Sequence, residues 1–203
     1  MEDAWIVTEI EPYQKSKYKV YLNDEFTFLL YKSELNRMKI KEGDTLSKEM
    51  YSFILTEILN KRAVKRAMHL LKFMDRTECQ LREKLRENFY PEESVEAAIA
   101  YVKSYHYVND EEYALRYTDS RSRTKSRRQI EMELTRKGIS PDKVDRAVQE
   151  SEFDDRKVIR EILLKKGRNI DLKEPKQRQK VIRHLLYKGF EWEDVRYEME
   201  HLT

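Results

Sequence analysis

The chain has 203 residues, 39% of them hydrophobic and 39% charged, with only four Gly and four Pro. That composition excludes an all-β protein built on many tight turns and a disordered linker. A Gly-rich phosphate loop is excluded too, because Gly43, Gly138, Gly167 and Gly189 stand far apart. Lys and Arg number 41 against 38 Asp and Glu, a net charge of +3 that does not by itself predict nucleic-acid binding.

Residues 1–60 are expected to form a small α+β head. Trp5-Ile6-Val7-Thr8-Glu9-Ile10 is rich in β-branched residues, and Tyr18-Lys19-Val20-Tyr21-Leu22 alternates. Phe26–Leu30 follows after the short turn Asn23-Asp24-Glu25, so a β-hairpin is expected. Tyr31 to Lys39 reads as a short helix with Leu35 and Met38 inward, and Lys41-Glu42-Gly43-Asp44 as a turn. So small a sheet does not stand alone and should pack on that helix or on the segment that follows. The longest apolar stretches, near 26–31 and 50–56, fall far short of the ~20 residues a membrane span needs. Met1-Glu2-Asp3-Ala4-Trp5 lacks the basic flank and apolar core of a signal peptide. The lone cysteine, Cys79, excludes an intramolecular disulfide. A cytoplasmic monomer without membrane association is the expectation.

From Ser47 the apolar period changes to 3.6. Ile54, Ile58 and Leu59 begin a stripe that Ala63, Ala67, Leu70, Leu71 and Met74 continue. Thr77-Glu78-Cys79-Gln80 has the form of a capping box, and Ser126-Arg127-Arg128-Gln129 repeats it 49 residues later. The interval marks a repeat. Phe89, Val95 and Ile99 follow Leu85 at +4, +10 and +14; Gly138, Val144 and Val148 follow Leu134, and Gly189, Val195 and Met199 follow Leu185, at the same offsets. Each unit is therefore a helix, a turn of about five residues and a second helix, with Gly or Pro at the turn. A further helix precedes each pair, at Lys61–Met74, Asp110–Ser122 and Asp154–Lys166. The expected architecture is mainly α: three tandem three-helix repeats at 61–107, 108–151 and 152–203 behind the head.

No catalytic chemistry emerges along this array. His69, His106, His184 and His201 lack a second His or a Cys at metal-ligand spacing, and Cys79 has no neighbouring base. Most carboxylates stand three or four residues from a Lys or Arg, the pattern of solvated helix faces. The reading is a non-enzyme with no catalytic residues, no metal and no cofactor.

What remains are surfaces. Arg121, Arg123, Lys125, Arg127 and Arg128 lie in a stretch, 120–130, that holds no acidic residue. Hydroxyl residues interleave the charges, and Ser126 at a helix N-cap adds backbone amides. This is an anion-binding patch for nucleic acid or an acidic protein groove, or else a solvated loop. A second basic stretch runs through Lys165, Lys166, Arg168, Lys173, Lys176, Arg178, Lys180 and Arg183, and reads as an exposed helix face. Tyr101, Tyr105, Tyr107, Tyr113 and Tyr117 cluster where the first and second units meet, and read as core rather than as a stacking platform for bases.

Several of these pieces also occur together in a known family. Arg76-Thr77-Glu78 with Leu81-Arg82-Glu83-Lys84-Leu85, then Val108-Asn109-Asp110-Glu111-Glu112-Tyr113-Ala114, then Glu133-Leu134 with Lys137-Gly138-Ile139, resembles the RecX regulatory proteins of bacteria. Leu185-Leu186-Tyr187-Lys188-Gly189-Phe190 fits the family's closing pattern, so the resemblance spans about residues 61–203. It implies an elongated, curved array of three-helix repeats with a basic face. It also implies a regulator that binds the RecA recombinase filament, lies in its helical groove and usually restrains its ATPase, strand-exchange and coprotease activities. The resemblance brings neither catalytic residues nor a binding motif, so the choice of Arg121–Arg128 rests on charge. DNA contact is expected to be weak or indirect, the chain being near neutral. The other reading, from the residues, is a direct DNA binder, because a three-helix unit with a short turn between its second and third helices resembles a helix-turn-helix. The acidic third helices oppose it by phosphate repulsion.

Overall fold

The computed structural model describes residues 5–167, 172 and 174–201. Strands β1 (Trp5–Gln14), β2 (Lys17–Leu22) and β3 (Glu25–Tyr31) form an antiparallel meander. The two-residue β4 (Thr45–Leu46) pairs with the start of β1, so the sheet order is β3-β2-β1-β4. Asn23 and Asp24 both take left-handed backbone, φ 51° and 67°, as a two-residue turn between right-twisted strands requires; Asn and Asp tolerate it well. β1 runs past the expected Ile10, through Pro12. Pro12 is accommodated because β4 covers only Trp5 and Ile6, leaving an open edge, and because a register shift falls between Pro12 and Gln14. Helix α1 (Lys32–Met38) follows, with Leu35 buried and Met38 packed on the same core.

Ser47 caps α2 (Lys48–Phe53), its Oγ accepting from the Met50 N–H at 3.2 Å. The helix continues without a break through a π-helical segment (Ile54–Asn60) into α3 (Lys61–Phe73). Here the single stripe expected from the sequence divides. Ile54, Ile58 and Leu59 join Val7, Val20, Phe28 and Leu30 in the head's core, while Ala63, Ala67 and Leu70 join Leu81, Leu85, Val95 and Ile99 in the next. A π-helix turns less per residue than an α-helix, so the apolar face emerges from it rotated. Met74 does not continue the stripe at all: its backbone is extended and it is 56% exposed. The head and first three-helix unit are tied by Arg62, which donates to the Leu29 carbonyl and pairs with Glu34, and by Ser94 Oγ, which donates to Asn60 Oδ1 at 2.7 Å.

Helices α4 (Glu78–Arg86) and α5 (Glu92–Ser104) complete the first three-helix unit. The second comprises α6 (Asp110–Arg121), α7 (Arg127–Arg136) and α8 (Pro141–Glu150); the third comprises α9 (Asp155–Gly167), α10 (Pro175–Tyr187) and α11 (Trp192–Glu200). By contact, the chain divides into two compact units, Met1–Val108 and Asn109–Thr203. Among the equivalent positions, Leu85, Leu134, Leu185, Val95, Val144, Val195, Ile99 and Val148 are buried, and Met199 is half-buried.

The middle helix of each three-helix unit ends by the same device. The N–H of Tyr90, Ile139 and Phe190 donates to the carbonyl of Leu85, Leu134 and Leu185 at 3.4, 3.2 and 3.3 Å. The residue before each donor is left-handed: Phe89 at φ 61°, Gly138 at 79° and Gly189 at 84°. Glycine takes that conformation without a Cβ penalty. Phe89 is held there by edge-on contacts of its ring with Tyr13 and Phe26, at 5.2 and 5.7 Å between centroids.

Candidate binding surface

The acid-free stretch spans the last residues of α6, a tight turn and the first turn of α7. Inside α6 the buried Thr118 hydroxyl donates to the Ala114 carbonyl at 2.9 Å. The Thr124 and Lys125 N–H groups both donate to the Arg121 carbonyl, at 2.9 and 3.0 Å, which closes the turn. Ser126 is fully buried. Its Oγ accepts from the Gln129 N–H at 3.2 Å and donates to the Lys188 carbonyl at 2.6 Å. So α7 has its cap, but the capping box expected at Ser126–Gln129 is only half made. The Gln129 amide donates to Glu133 at 3.2 Å instead of serving the Ser126 backbone. The bond to Lys188 seats the turn on the end of α10, where Gly189 leaves room: a Cβ there would lie 2.9 Å from Arg128 Cβ and 3.2 Å from Ser126 Oγ.

On this frame Arg121, Arg123, Arg127 and Arg128 are exposed, and none of the four is ion-paired among the described residues. The Arg121 guanidinium lies 5.9 Å from the Tyr117 ring centroid and that of Arg127 lies 5.1 Å from Phe153, contacts that limit where these two charges point. Lys125 is placed differently. Its Nζ donates to both carboxylate oxygens of Glu133 at 2.6 Å, with only 22% and 23% of the two side chains exposed. The Tyr117 hydroxyl donates to the same carboxylate at 2.6 Å. Burial raises the Glu133 pKa, but the hydrogen bonds from Lys125 and Tyr117 and the Lys125 charge outweigh it and hold the carboxyl below its ordinary value. Burial first, and then the bond to Glu133, push the Tyr117 phenol up to about 12. Lys125, Glu133 and Tyr117 thus brace the turn from α6 to α7, and the four arginines carry the outward charge.

The supporting residues were not visible in the sequence. Glu133 stands eight residues from Lys125 and 16 from Tyr117, so only the packing of α6 against α7 brings the three together. Of the second basic stretch, Lys176, Arg178, Lys180 and Arg183 are exposed on α10, whereas Arg168 and Lys173 lie outside the described residues. The tyrosine cluster departs from expectation. Tyr101, Tyr105 and Tyr107 are 41%, 58% and 52% exposed, because α5 buries the face of Val95, Ala98, Ile99 and Val102, which Tyr101 lies off, and Tyr105 and Tyr107 come after the helix has ended at Ser104. Tyr113 and Tyr117 do pack, half-buried, on the core of the second three-helix unit. Cys79 is half-buried in the first turn of α4, its Sγ 3.9 Å from Glu83 Oε1. Among the described residues no group of three His, Cys, Asp or Glu is placed to hold a metal ion, and no helix is long and apolar enough to cross a membrane.

Fold and surface define a tandem three-helix repeat protein with an arginine-bearing turn in its middle repeat. Family models of the first, second and third three-helix domains of RecX match residues 63–101, 109–148 and 154–199. The chain belongs to the RecX family. It is 32% identical over 195 residues to the regulatory protein RecX of Caldanaerobacter subterraneus subsp. tengcongensis, covering 94% of this chain and 96% of that one. The regulatory protein RecX of Clostridioides difficile is 28% identical over 203 residues, covering 97% and 95%. A crystal structure of a regulatory protein RecX superposes with a TM-score of 0.65 at 25% identity, over 97% of this chain and all of the other. RecX from Lactobacillus salivarius shares the fold, with a TM-score of 0.59 at 21% identity over 70% of this chain and 96% of that one.

Proposed function

We propose that this protein is a non-enzymatic cytoplasmic regulator that binds a RecA recombinase filament on DNA and restrains its ATPase, strand-exchange and coprotease activities. Family membership along nearly the whole chain supports the class. The observation that carries the site is the set of four exposed, unpaired guanidiniums on a braced turn. A guanidinium presents a planar fork of donors that matches carboxylate or phosphate edges, which suits acidic protein surface or exposed backbone in a filament. Linked helical units reach several protomers at once, so moderate contacts add through effective concentration without one tight site. The protein acts as a monomer without a cofactor, and DNA is touched weakly or through the recombinase.

The test replaces Arg121, Arg123, Arg127 and Arg128 together by Ala. DNA-dependent ATP hydrolysis by the cognate recombinase is then measured over a titration of the variant. The variant is expected to stay folded and to inhibit only at higher concentration. Unchanged inhibition would remove this face from the site and move attention to Lys176, Arg178, Lys180 and Arg183. A parent chain that leaves filaments untouched yet binds duplex DNA with a steep salt dependence would refute the regulator reading in favour of a direct DNA binder.

A further inference from the structure

We propose that the first compact unit carries a second anion site, separate from the arginine turn: a cleft between the head's sheet and α3 that takes a phosphate group. The cleft has a volume of about 440 Å³ and is lined by Lys17 of β2, by Arg62, Lys65, Arg66 and His69 of α3, and by the turn that ends α4. No carboxylate lines it among the described residues. One of the five basic side chains is already committed. Arg62 donates to the Leu29 carbonyl at 3.1 Å, pairs with both oxygens of Glu34 and stacks 4.6 Å over Tyr31. It forms a wall, and Glu34 neutralises that wall alone. Lys17, Lys65, Arg66 and His69 have no ion-pair partner among the described residues.

Two features bear on the charge of Lys65 and Arg66. Helix α3 contains Lys61, Arg62, Lys65, Arg66 and Lys72 and no acidic residue; Lys61 and Arg62 pair with Glu57 and Glu34 outside it, while Lys65 and Arg66, one turn on, repel them at four-residue spacing and have no ion-pair partner among the described residues. In addition, Arg66 Nε is buried and meets no hydrogen-bond acceptor. Buried donors are nearly always satisfied in folded proteins, so this one carries a cost that a small shift of the Arg66 side chain toward an anion in the cleft would relieve. A phosphate fits better than a carboxylate. A terminal phosphate brings up to two negative charges and three terminal oxygens to Lys17, Lys65, Arg66 and His69, where a carboxylate brings one charge and two oxygens; a backbone phosphodiester also brings one charge and two oxygens, but its neighbouring phosphates reach the remaining donors. The phosphate could come from a nucleic-acid backbone or from a free phosphorylated compound, and the cleft chemistry is common to both.

The test is a calorimetric titration of inorganic pyrophosphate into the full chain, in low-salt buffer free of phosphate. Binding is expected, and it should weaken by about tenfold or more in Lys17→Gln/Lys65→Gln, the loss of charge-assisted hydrogen bonds. Arg66→Gln should weaken it as well; should that variant misfold, the lysine pair decides, since both lysines can change without emptying a core. The four-arginine Ala variant described above should keep its pyrophosphate affinity, which separates this site from the proposed filament-binding turn. A short labelled oligodeoxynucleotide then distinguishes the sources. Displacement by pyrophosphate, together with sensitivity to Lys17→Gln/Lys65→Gln, assigns the site to a nucleic-acid backbone. Oligonucleotide binding indifferent to that variant, alongside its loss of pyrophosphate binding, assigns it to a free phosphorylated compound. Absent pyrophosphate binding, unchanged binding in the lysine pair, or glutarate binding as tightly as pyrophosphate would overturn the proposal.

Discussion

Gly189→Ala probes the contact on which the arginine turn rests. Gly189 sits at φ +84°, where an L side chain costs about 1–2 kcal/mol. The new Cβ would also stand 2.9 Å from Arg128 Cβ and 3.2 Å from Ser126 Oγ, so the end of α10 and the start of α7 must move apart. Overpacking of that kind costs about 1–3 kcal/mol, so the sum is about 2–5 kcal/mol. Gly43→Ala is the control the molecule itself supplies. Gly43 has the same φ, +84°, and nothing within 4 Å of its Cβ position, so it should cost only the backbone part, about 1–2 kcal/mol. The two tryptophans give separate readouts, Trp5 in the first compact unit and Trp192 in the second. Urea unfolding followed by fluorescence in Trp5→Phe and Trp192→Phe backgrounds should show Gly189→Ala acting on the Trp192 transition and Gly43→Ala on that of Trp5. Equal losses from the two glycines would refute the reasoning, because the Ser126 and Arg128 contact would then add nothing.

Leu134→Ala, at a fully buried position in the middle three-helix unit, should cost about 2–5 kcal/mol in the same unfolding measurement. Phe89→Ala should be less stable than Phe89→Gly by about 1 kcal/mol, reversing the usual order of those residues, because φ is 61° there; an Ala variant as stable as the Gly one would deny the left-handed end of α4. Tyr117 is held protonated by burial and Glu133, so its contribution to stability is full below its ordinary pKa of 10 and is lost as pH rises through about 12. Tyr117→Phe should therefore flatten the fall in stability over that alkaline window, read as unfolding midpoint against pH. Glu133 has the opposite sign: its carboxyl is held low, so its contribution is present above the ordinary value of 4.5 and is lost as pH falls below it, and Glu133→Gln should flatten the acid limb.

The repeat was legible because a helix, a fixed turn and a second helix force the same spacing of buried residues wherever they recur. Leu85, Leu134 and Leu185 could be aligned by counting, and all three are buried. The head was legible as strands and a hairpin, yet β4 was not seen, since two residues carry no alternation to read. The division of the helical stripe at Ile54–Asn60 was hidden for a related reason. Periodicity assumes 3.6 residues per turn, and a π-helical segment breaks that assumption without any Gly or Pro to announce it. At the arginine turn, charge singled out five residues but did not say how each is held. Nothing in a run of alternating basic and hydroxyl residues distinguishes Lys125, bonded inward to Glu133, from Arg123 beside it.

The π-helical segment has a consequence for how this chain tolerates insertions and deletions. Ile54, Ile58 and Leu59 serve the head's core, and Ala63, Ala67 and Leu70 serve the next, all from one unbroken rod. With no loop between them, the α-helical parts of the rod have no slack to absorb a change in length. Each residue added or removed in an α-helix swings everything beyond it by about 100°. Deleting Thr56, an exposed residue inside the π-helical segment, removes the extra residue of its wider turn, so the segment closes to α-helix and Ala63 and Ala67 keep facing Leu81 and Leu85. A one-residue deletion in this helix is therefore best borne at Ile54–Asn60, whereas an insertion is better placed at Met74–Arg76, where the backbone has already left the helix.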